Sequence, residues 1–196
     1  IVGPSGVGKS TVVDALLERL RYGPFLVDRI VNFTTRPPRE NEVHGIDYIF
    51  LTDQEMDRLL EEEIISNYIE LHGYRYCSIL KSFTQAVAKD HHGIFIVTIE
   101  GYNKLRMDYP FLNWTSVFVH PGDESVLFKR LFSRYKGDAE KVRSRHDRNE
   151  LETKSMYECD HIVYNDKIDY AVDQLFQILK EYDEMTQPIV EVEDEQ

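Results

Sequence analysis

The sequence predicts an α/β protein whose core is a parallel sheet flanked by helices. Apolar strand-like segments alternate with helical patterns along most of the 196 residues. A glycine-rich loop opens the chain between an apolar stub and a helical pattern, and such loops lie at the carboxyl ends of parallel strands. Strand patterns at 47–51, 64–71 and 74–78 are closely spaced along the chain. They predict a small antiparallel lobe inserted in the core.

The first element is a phosphate-binding loop followed by a helix. Residues 1–11 read IVGPSGVGKST, which satisfies the complete loop pattern of two glycines, a lysine and a serine. The glycines let backbone N–H groups face phosphate oxygens, the lysine reaches the β- and γ-phosphates, and the serine hydroxyl can bind Mg²⁺. Apolar residues then recur at helical steps from Val13 to Leu20. The sequence therefore predicts a nucleoside triphosphate site formed by Gly3, Ser5, Gly6, Gly8, Lys9, Ser10 and Thr11, with Ser10 on the metal.

A basic loop follows the next predicted strand, residues 26–33. The stretch FTTRPPRENEVHGIDYIF places Arg36 and Arg39 on either side of two prolines. A polyproline II path repeats about every three residues, so both side chains leave the chain on one side, about 9 Å apart along it. Two arginine forks fixed in this way suit a phosphate group, and a solvated surface turn is the alternative interpretation. The loop leads into the predicted strand at 47–51.

The middle of the chain predicts a helix, two strands and a second helix. Thr52 is in position to cap an acidic amphipathic helix over 53–63. Short strands are predicted on either side of Gly73, and a helix over 79–91. After Gly93 comes the most apolar strand pattern of the chain, residues 94–99.

The last third predicts two more strands, at 115–120 and 161–165, and helices over about 123–135, 138–158 and 167–183. Residues 129–148 contain eight Lys and Arg against three acids. Arg130 and Arg134 lie four apart on one helix, and Arg145 and Arg148 share a side of the next. Such a cluster is typical of a solvated helix surface. Beside a triphosphate loop it also suits a mobile flap whose arginines neutralise transferring phosphates.

The composition excludes several classes of protein. Hydrophobic residues are 42% and charged residues 30% of the chain, as in ordinary globular proteins, and the formal net charge of -12 argues against a nucleic-acid-binding protein. Two cysteines are too few for a disulfide framework and favour a cytoplasmic location, and no apolar run is long enough to span a membrane. The length suits one domain with inserted lobes or two small domains. The apolar stub at Ile1 suggests a fragment or trimmed numbering.

The motifs together resemble guanylate kinases. GPSGVGKST, TTRPPRENEVHGIDYIF, GYRYCS and the basic KRL region occur in the order and spacing of that family, up to about residue 183. The resemblance implies a P-loop kinase core at about 1–31 and 79–183, a small mixed-β NMP-binding lobe at about 32–78, and a helical lid at about 134–147. An acidic tail at 184–196 would follow. The implied reaction is phosphorylation of a nucleoside monophosphate by ATP with Mg²⁺, GMP giving GDP.

The resemblance also assigns roles to residues. It implies that Arg36, Arg39, Tyr48 and Tyr76 hold the acceptor phosphate. The implied catalytic residues are Lys9, Arg130, Arg134 and Arg145. The remaining residues of the acceptor site are Asn32, Asn67, Glu70, Ser78 and Glu100.

Several positions depart from the family pattern. Asn32 stands where the family has Ser, Thr98 and Glu100 stand where it reads D-x-D, and Cys77 stands where it has Gly. Asn67 stands at the position of the guanine-reading Glu, and Glu70 takes that position only if three residues are missing before Gly73. Strand alternation favours Asn67, because an even spacing from Gly73 keeps the same face. These departures concern the base and leave the phosphate contacts intact.

Two alternatives remain open at this point. One is a P-loop kinase for a different nucleotide or a phosphosugar. The other is a non-catalytic guanylate-kinase-like module that binds peptides, against which the retained Lys9 and Ser10 argue. In either kinase interpretation the partners are small molecules, and neither nucleic acid nor a membrane is expected.

Overall fold

Helices and strands alternate in the computed structural model, which describes residues 1–62, 65–71, 73–79 and 91–186. In chain order the described elements are α1 (Lys9–Leu20), β1 (Val27–Arg29), β2 (Asn32–Thr34), β3 (Tyr48–Phe50), α2 (Asp53–Glu61), β4 (Ile65–Leu71), β5 (Tyr74–Ile79), β6 (His92–Ile94), α3 (Ile99–Asp108), β7 (Val117–His120), α4 (Glu124–Arg134), α5 (Ala139–Lys154), β8 (His161–Tyr164) and α6 (Ile168–Thr186). A short 3₁₀ turn, Ser155–Glu158, follows α5. None of the described helices is long and apolar enough to cross a membrane.

Parallel pairing forms the central sheet, as the sequence predicts. β1 pairs with β6, and β7 pairs with β8, both in parallel. The opening stub joins the two pairs: Val97 N–H donates to the Ile1 carbonyl at 3.1 Å, and Val2 N–H donates to the Val117 carbonyl at 2.9 Å. The phosphate-binding loop therefore starts from the middle of the sheet. The predicted α/β class with a parallel sheet is confirmed.

Helices cover both faces of this sheet. On one face α1 and α6 pack against β7 and β8 through a buried cluster that includes Leu16, Val117, Val163 and Leu175. On the other face Tyr102 of α3 packs with Val2 and Phe118. Because an apolar strand is buried on both faces, its sequence is a nearly continuous apolar run, as at residues 117–119.

A second, mixed sheet carries the basic loop. Its strand order is β3-β2-β5-β4, with β2 parallel to β3 and antiparallel to β5. α2 closes this sheet: Thr52 and Glu55 form a reciprocal capping box at its start, and Met56 is fully buried against Cys77, with 3.5 Å between the two sulfur atoms. The lobe thus has a small core of its own.

Two element predictions differ from the structure, and a third falls outside the described residues. The strand predicted at 26–33 is two strands, β1 and β2, which belong to different sheets. Of the strand predicted at 94–99, only Ile94 joins a ladder, and Thr98 instead caps α3, a helix that the sequence reading missed. The helix predicted over 79–91 falls almost entirely on residues 80–90, which lie outside the described part of the chain.

Candidate active site

The phosphate-binding loop needs glycine at particular positions. Gly8 has φ 96° and directly precedes α1, so the chain enters the helix from a left-handed conformation. A Cβ added at Gly8 would lie 2.7 Å from Nδ2 of Asn165, and one added at Gly3 would lie 2.6 Å from the carbonyl oxygen of Val119. The loop is therefore packed tightly against β7 and the end of β8.

Side chains from three distant elements hold the loop. The carbonyl of Val7 accepts from Nδ2 of Asn165 at 2.7 Å and from Nη1 of Arg130 at 3.2 Å. Ser5 exchanges two hydrogen bonds with the amide of Asn149 in α5: its N–H donates to Oδ1 at 2.9 Å, and its carbonyl accepts from Nδ2 at 3.1 Å. These bonds preorganise the loop, and they place Arg130 beside it.

Lys9 points back along the loop towards its own backbone. Its ammonium donates to the carbonyls of Gly3 and Pro4, at 3.0 Å in the latter case. Burial lowers the pKa of Lys9 to about 8; the Glu152 carboxylate opposes this shift, and the nearby Arg134 and Arg39 add to it. Several cations thus share the space in front of the loop, as expected where a polyphosphate binds.

Glu42 holds the two arginines of the basic loop. Its carboxylate accepts from Nη2 of Arg36 at 2.9 Å, from Nη1 of Arg39 at 3.0 Å and from the Arg39 N–H at 2.8 Å. Burial disfavours charge on Arg36 and Glu42, but their pairing prevails, so the pKa of Arg36 is raised and that of Glu42 is lowered. The guanidinium of Arg36 also lies 5.4 Å from the centre of the Tyr48 ring. Arg36 is thus buried and fixed, while Arg39 is exposed.

Two tyrosines stand beside these arginines. The rings of Tyr48 and Tyr76 meet edge to face with their centres 6.1 Å apart. Burial and the neighbouring Tyr76 raise the pKa of Tyr48, so its hydroxyl stays protonated and can donate a hydrogen bond to an anion.

One cavity of about 210 Å³ brings these groups together. The loop, the mixed sheet and the two helices α4 and α5 all contribute to its wall. The predicted residues that line it are Gly3, Ser5, Gly6, Gly8, Lys9, Ser10, Thr11, Asn32, Arg39, Tyr48, Tyr76, Ser78, Arg134 and Arg145. Desolvation and the charge of Arg39 lower the pKa of Arg134, which indicates that the cations of the basic loop and of α4 lie close together.

Four predicted residues whose side chains the structure describes do not line the cavity. Arg36 braces Glu42 and Arg130 braces the loop, as described above. Glu100 is exposed, with its carboxylate 3.8 Å from Arg148. Glu70 is also exposed, and its carboxylate accepts from the Tyr68 hydroxyl. Its neighbours along the strand, Ile69 and Leu71, point to the other face and line the cavity.

Where β2 and β5 border the cavity, its wall carries an amide and a hydroxyl. Nδ2 of Asn32 donates to the carbonyl of Ile96 at 2.9 Å, and Oδ1 of Asn32 accepts from the Ser78 hydroxyl at 2.7 Å. The backbone of Asn67 pairs with that of Ser78, and the Asn67 side chain lies outside the described part of the structure.

The sequence reading missed four residues of this site: Glu42, Asn149, Glu152 and Asn165. Asn149 and Glu152 follow Arg145 at helical spacings of four and seven, so the helix pattern alone could have placed them near it. Nothing in the sequence marks Asn165 as a partner of the loop 158 residues away.

The chain is similar in sequence to known proteins. The sequence profile described as guanylate kinase matches residues 1–182. A guanylate kinase of Cutibacterium acnes is 33% identical over 180 residues, which are 91% of this chain and 87% of the relative. One from Malacoplasma penetrans is 29% identical, over 92% of this chain and 91% of the relative. The chain belongs to the guanylate kinase family.

A solved structure agrees with the fold. The crystal structure of guanylate kinase from Anaplasma phagocytophilum has a TM-score of 0.69 at 24% identity and covers 92% of this chain and 82% of its own. The predicted resemblance is confirmed, and the P-loop kinase fold with it. Guanylate kinases are ATP-using kinases, and kinases of this kind need a divalent metal ion.

Proposed function

We propose that this guanylate kinase transfers the γ-phosphoryl group of ATP to GMP, giving ADP and GDP. The observation that carries the proposal is the single cavity that Lys9, Arg39, Tyr48, Arg134 and Arg145 line together. Phosphoryl transfer is mostly a matter of positioning two phosphates and neutralising the charge between them. A cavity with triphosphate-binding groups on one side and monophosphate-binding groups on the other suits this task.

Each group has a role in the transfer. Lys9 and the loop N–H groups bind the triphosphate, and Arg39 with the hydroxyls of Tyr48 and Tyr76 binds the acceptor phosphate. Arg36 acts through Glu42, which holds the acceptor-binding arginines in place. Arg134 and Arg145 neutralise the charge that spreads over the transferring group. In this proposal the core is 1–31 and 79–183, the lobe 32–78 and the lid 134–147.

The residues at the loop fit Mg²⁺. Ser10 lines the cavity directly after Lys9. Within the described ranges no group of three or more His, Cys, Asp or Glu side chains could hold a metal ion by itself. Mg²⁺ needs no such group here, because it is bound by substrate phosphates, waters and one or two protein oxygens. When bound, it would neutralise phosphate charge, and Ser10 is the residue that would hold it. A cytoplasmic location and small-molecule partners remain part of the proposal.

A coupled assay of ADP release tests the reaction. ATP and Mg²⁺ are supplied with GMP, IMP, AMP, pyrimidine monophosphates or a phosphosugar, and Lys9→Ala serves as the inactive control. We expect GMP to be the best acceptor and Lys9→Ala to retain almost no turnover while keeping its fold. A better acceptor outside the guanine nucleotides would establish the alternative kinase, and no ADP release with any acceptor would favour the peptide-binding module.

A further inference from the structure

The amide of Asn149 is the point at which α5 touches the triphosphate loop. Asn149 is only 3% exposed, and both polar atoms of its amide are bonded to the backbone of Ser5. Asn149 and Ser5 are separated by 144 residues, so these bonds are tertiary and do not belong to a local turn. Because Ser5 belongs to the stretch that wraps the phosphates, the conformation of this peptide is set before any nucleotide arrives.

Asn149 shares a helix face with two residues of the cavity wall. Arg145 precedes it by one turn and Glu152 follows it by nearly one turn, and both line the cavity. The Glu152 carboxylate raises the pKa of Lys9 against the effect of burial. The electrostatic neighbours of Arg145 include Tyr76 and Arg39 of the lobe. One face of α5 thus reaches the donor loop with Asn149 and Glu152 and the acceptor side with Arg145.

We propose that Asn149 is a positioning residue that fixes α5, and with it Arg145, against the triphosphate loop. This inference rests on the proposed function in that the loop binds ATP and Arg145 acts on the transferring group. The two bonds to Ser5 do two things. They hold the loop in its phosphate-binding conformation, so that less order is lost when ATP binds. They also set Arg145, about 6 Å along the helix axis from Asn149, at a constant height above the loop.

The first test measures binding of ATP with Mg²⁺ and no acceptor, by titration calorimetry. Asn149→Ala removes both bonds, and Glu150→Ala is the matched control, since Glu150 is the next residue of the same helix and its side chain is 70% exposed. We expect Asn149→Ala to bind ATP about tenfold more weakly, the combined effect of two ordinary hydrogen bonds. Glu150→Ala should stay within about twofold of the native protein.

Steady-state kinetics separate positioning from general destabilisation. In Asn149→Ala the KM for ATP should rise while the KM for GMP stays within about twofold, because both hydrogen bonds of the Asn149 amide go to the donor loop and a displaced Arg145 should lower kcat. A variant that is folded by circular dichroism but binds ATP like the native protein would overturn the proposal. So would equal losses for both substrates.

Asn149→Asp provides a readout that a purely structural residue would not give, and it keeps the shape of the side chain if Ala proves poorly folded. The carboxylate still accepts from the Ser5 N–H but has no proton for the Ser5 carbonyl, whereas the protonated acid has one. The affinity of Asn149→Asp for ATP, relative to native protein, should therefore recover as the pH falls from about 8 to about 5.5, where a buried carboxyl becomes protonated. A ratio that does not change with pH contradicts the proposal.

Coupling to Arg145 is tested by a double-mutant cycle on kcat. If Asn149 acts partly through Arg145, the losses caused by Asn149→Ala and Arg145→Lys are less than additive in the double variant. Strict additivity would refute that part of the inference. Should the native protein release no ADP with GMP, the proposed function fails, and the ATP titrations still decide the role of Asn149 independently.

Discussion

The ammonium group of Lys9 is buried, and burial disfavours its charged form. We therefore expect the activity of the protein to depend on the protonation of Lys9. Its pKa is lowered from the usual 10.5 to about 8, first because it is buried and then because arginines stand near it. A lowered lysine pKa means that the ammonium is present below about pH 8 and is lost above it. The neutral amine cannot neutralise the phosphates of incoming ATP.

We therefore expect kcat/KM for ATP to fall as the pH rises through about 8, because this parameter reports the enzyme before ATP binds. The measurement is a profile from about pH 6 to about pH 10 at saturating GMP. Lys9→Arg is the control, since a guanidinium keeps its charge over this range and should remove the fall in whatever activity remains. If kcat/KM of the native protein does not change up to about pH 10, Lys9 stays protonated in the enzyme to which ATP binds, and the expectation is wrong.

In the proposed function, Arg39 and Arg36 act on the acceptor phosphate in different ways. Arg39 is exposed and lines the cavity, whereas Arg36 is buried and reaches the cavity only through Glu42. Replacing either with Ala should raise the KM for GMP by roughly ten- to a hundredfold, and the KM for ATP much less, because charge-assisted bonds are worth about 1.5–3 kcal/mol. Arg36→Ala should also lower the stability of the fold, since it leaves the Glu42 carboxylate without its main partner. A rise mainly in the KM for ATP would mean that these two arginines bind the phosphates of ATP.

At the residue scale, the sequence predicted groups whose roles come from a local motif. Gly8, Lys9 and Ser10 are recognisable because a phosphate loop needs these residue types in this order. Asn149 and Asn165 are not, because an amide that binds a backbone carbonyl far away in the chain looks like any other amide. Their function exists only once the fold brings the two segments together.

At the scale of elements, the start of α2 illustrates how a local signal sets a boundary. The Thr52 hydroxyl accepts from the Glu55 N–H, and the Glu55 carboxylate accepts from the Thr52 N–H at 2.7 Å. Thr52→Ala removes one half of this box and should lower the free energy of unfolding by about 0.5–2 kcal/mol, as measured by urea denaturation. Gln54→Ala, an exposed change in the same turn, should have almost no effect. Equal stability of the Thr52→Ala variant would show that packing of Met56 alone holds this helix.

Other elements depend on context that the sequence does not display. The segment 26–33 is rich in β-branched residues, yet two of them, Ile30 and Val31, lie between strands of two different sheets. The apolar run at 94–99 ends in a helix because the Thr98 side chain accepts from the Gly101 N–H. A short apolar run looks the same in both cases, so its pairing is decided by the partner strands and not by its own composition.

At the scale of the whole molecule, positive charge is concentrated in the cavity of a chain that is acidic overall. The chain has a formal net charge of -12, yet its cavity brings together Lys9, Arg39, Arg134 and Arg145. Cations gathered in a cleft attract anionic substrates locally even when the chain as a whole is acidic. The sequence could predict this contrast, because the basic segments are contiguous. The helix pattern could place Glu152 near Arg145. It could not predict that Glu152 would also face Lys9, since that contact depends on how α5 meets the core.

The fold brings donor and acceptor together, but a few side chains decide which nucleotide base is accepted. Guanine presents N1–H and an exocyclic amine together, and a carboxylate accepts from both. Asn67 stands at the strand position paired with Ser78, whose hydroxyl is bonded to Asn32, and Glu70 lies away from the cavity. An amide offers one acceptor oxygen and a donor that opposes the donors of guanine. We therefore expect selectivity for GMP over AMP to be weaker than a carboxylate would give.

The expected difference is about 1–3 kcal/mol, or roughly ten- to a hundredfold in the ratio of kcat/KM values. The measurement compares GMP, IMP and AMP on the native protein and on Asn67→Glu. GMP should be the best acceptor for both, held mainly through its phosphate, and the substitution should sharpen the ratio of GMP to AMP. Glu70→Gln tests the competing assignment and should leave that ratio unchanged, because the carboxylate it removes is bonded to Tyr68 on the outer side of the strand. If the native protein already rejects AMP strongly and Asn67→Glu changes nothing, the base is read elsewhere in the cavity, with Asn32 and Ser78 the next residues to replace.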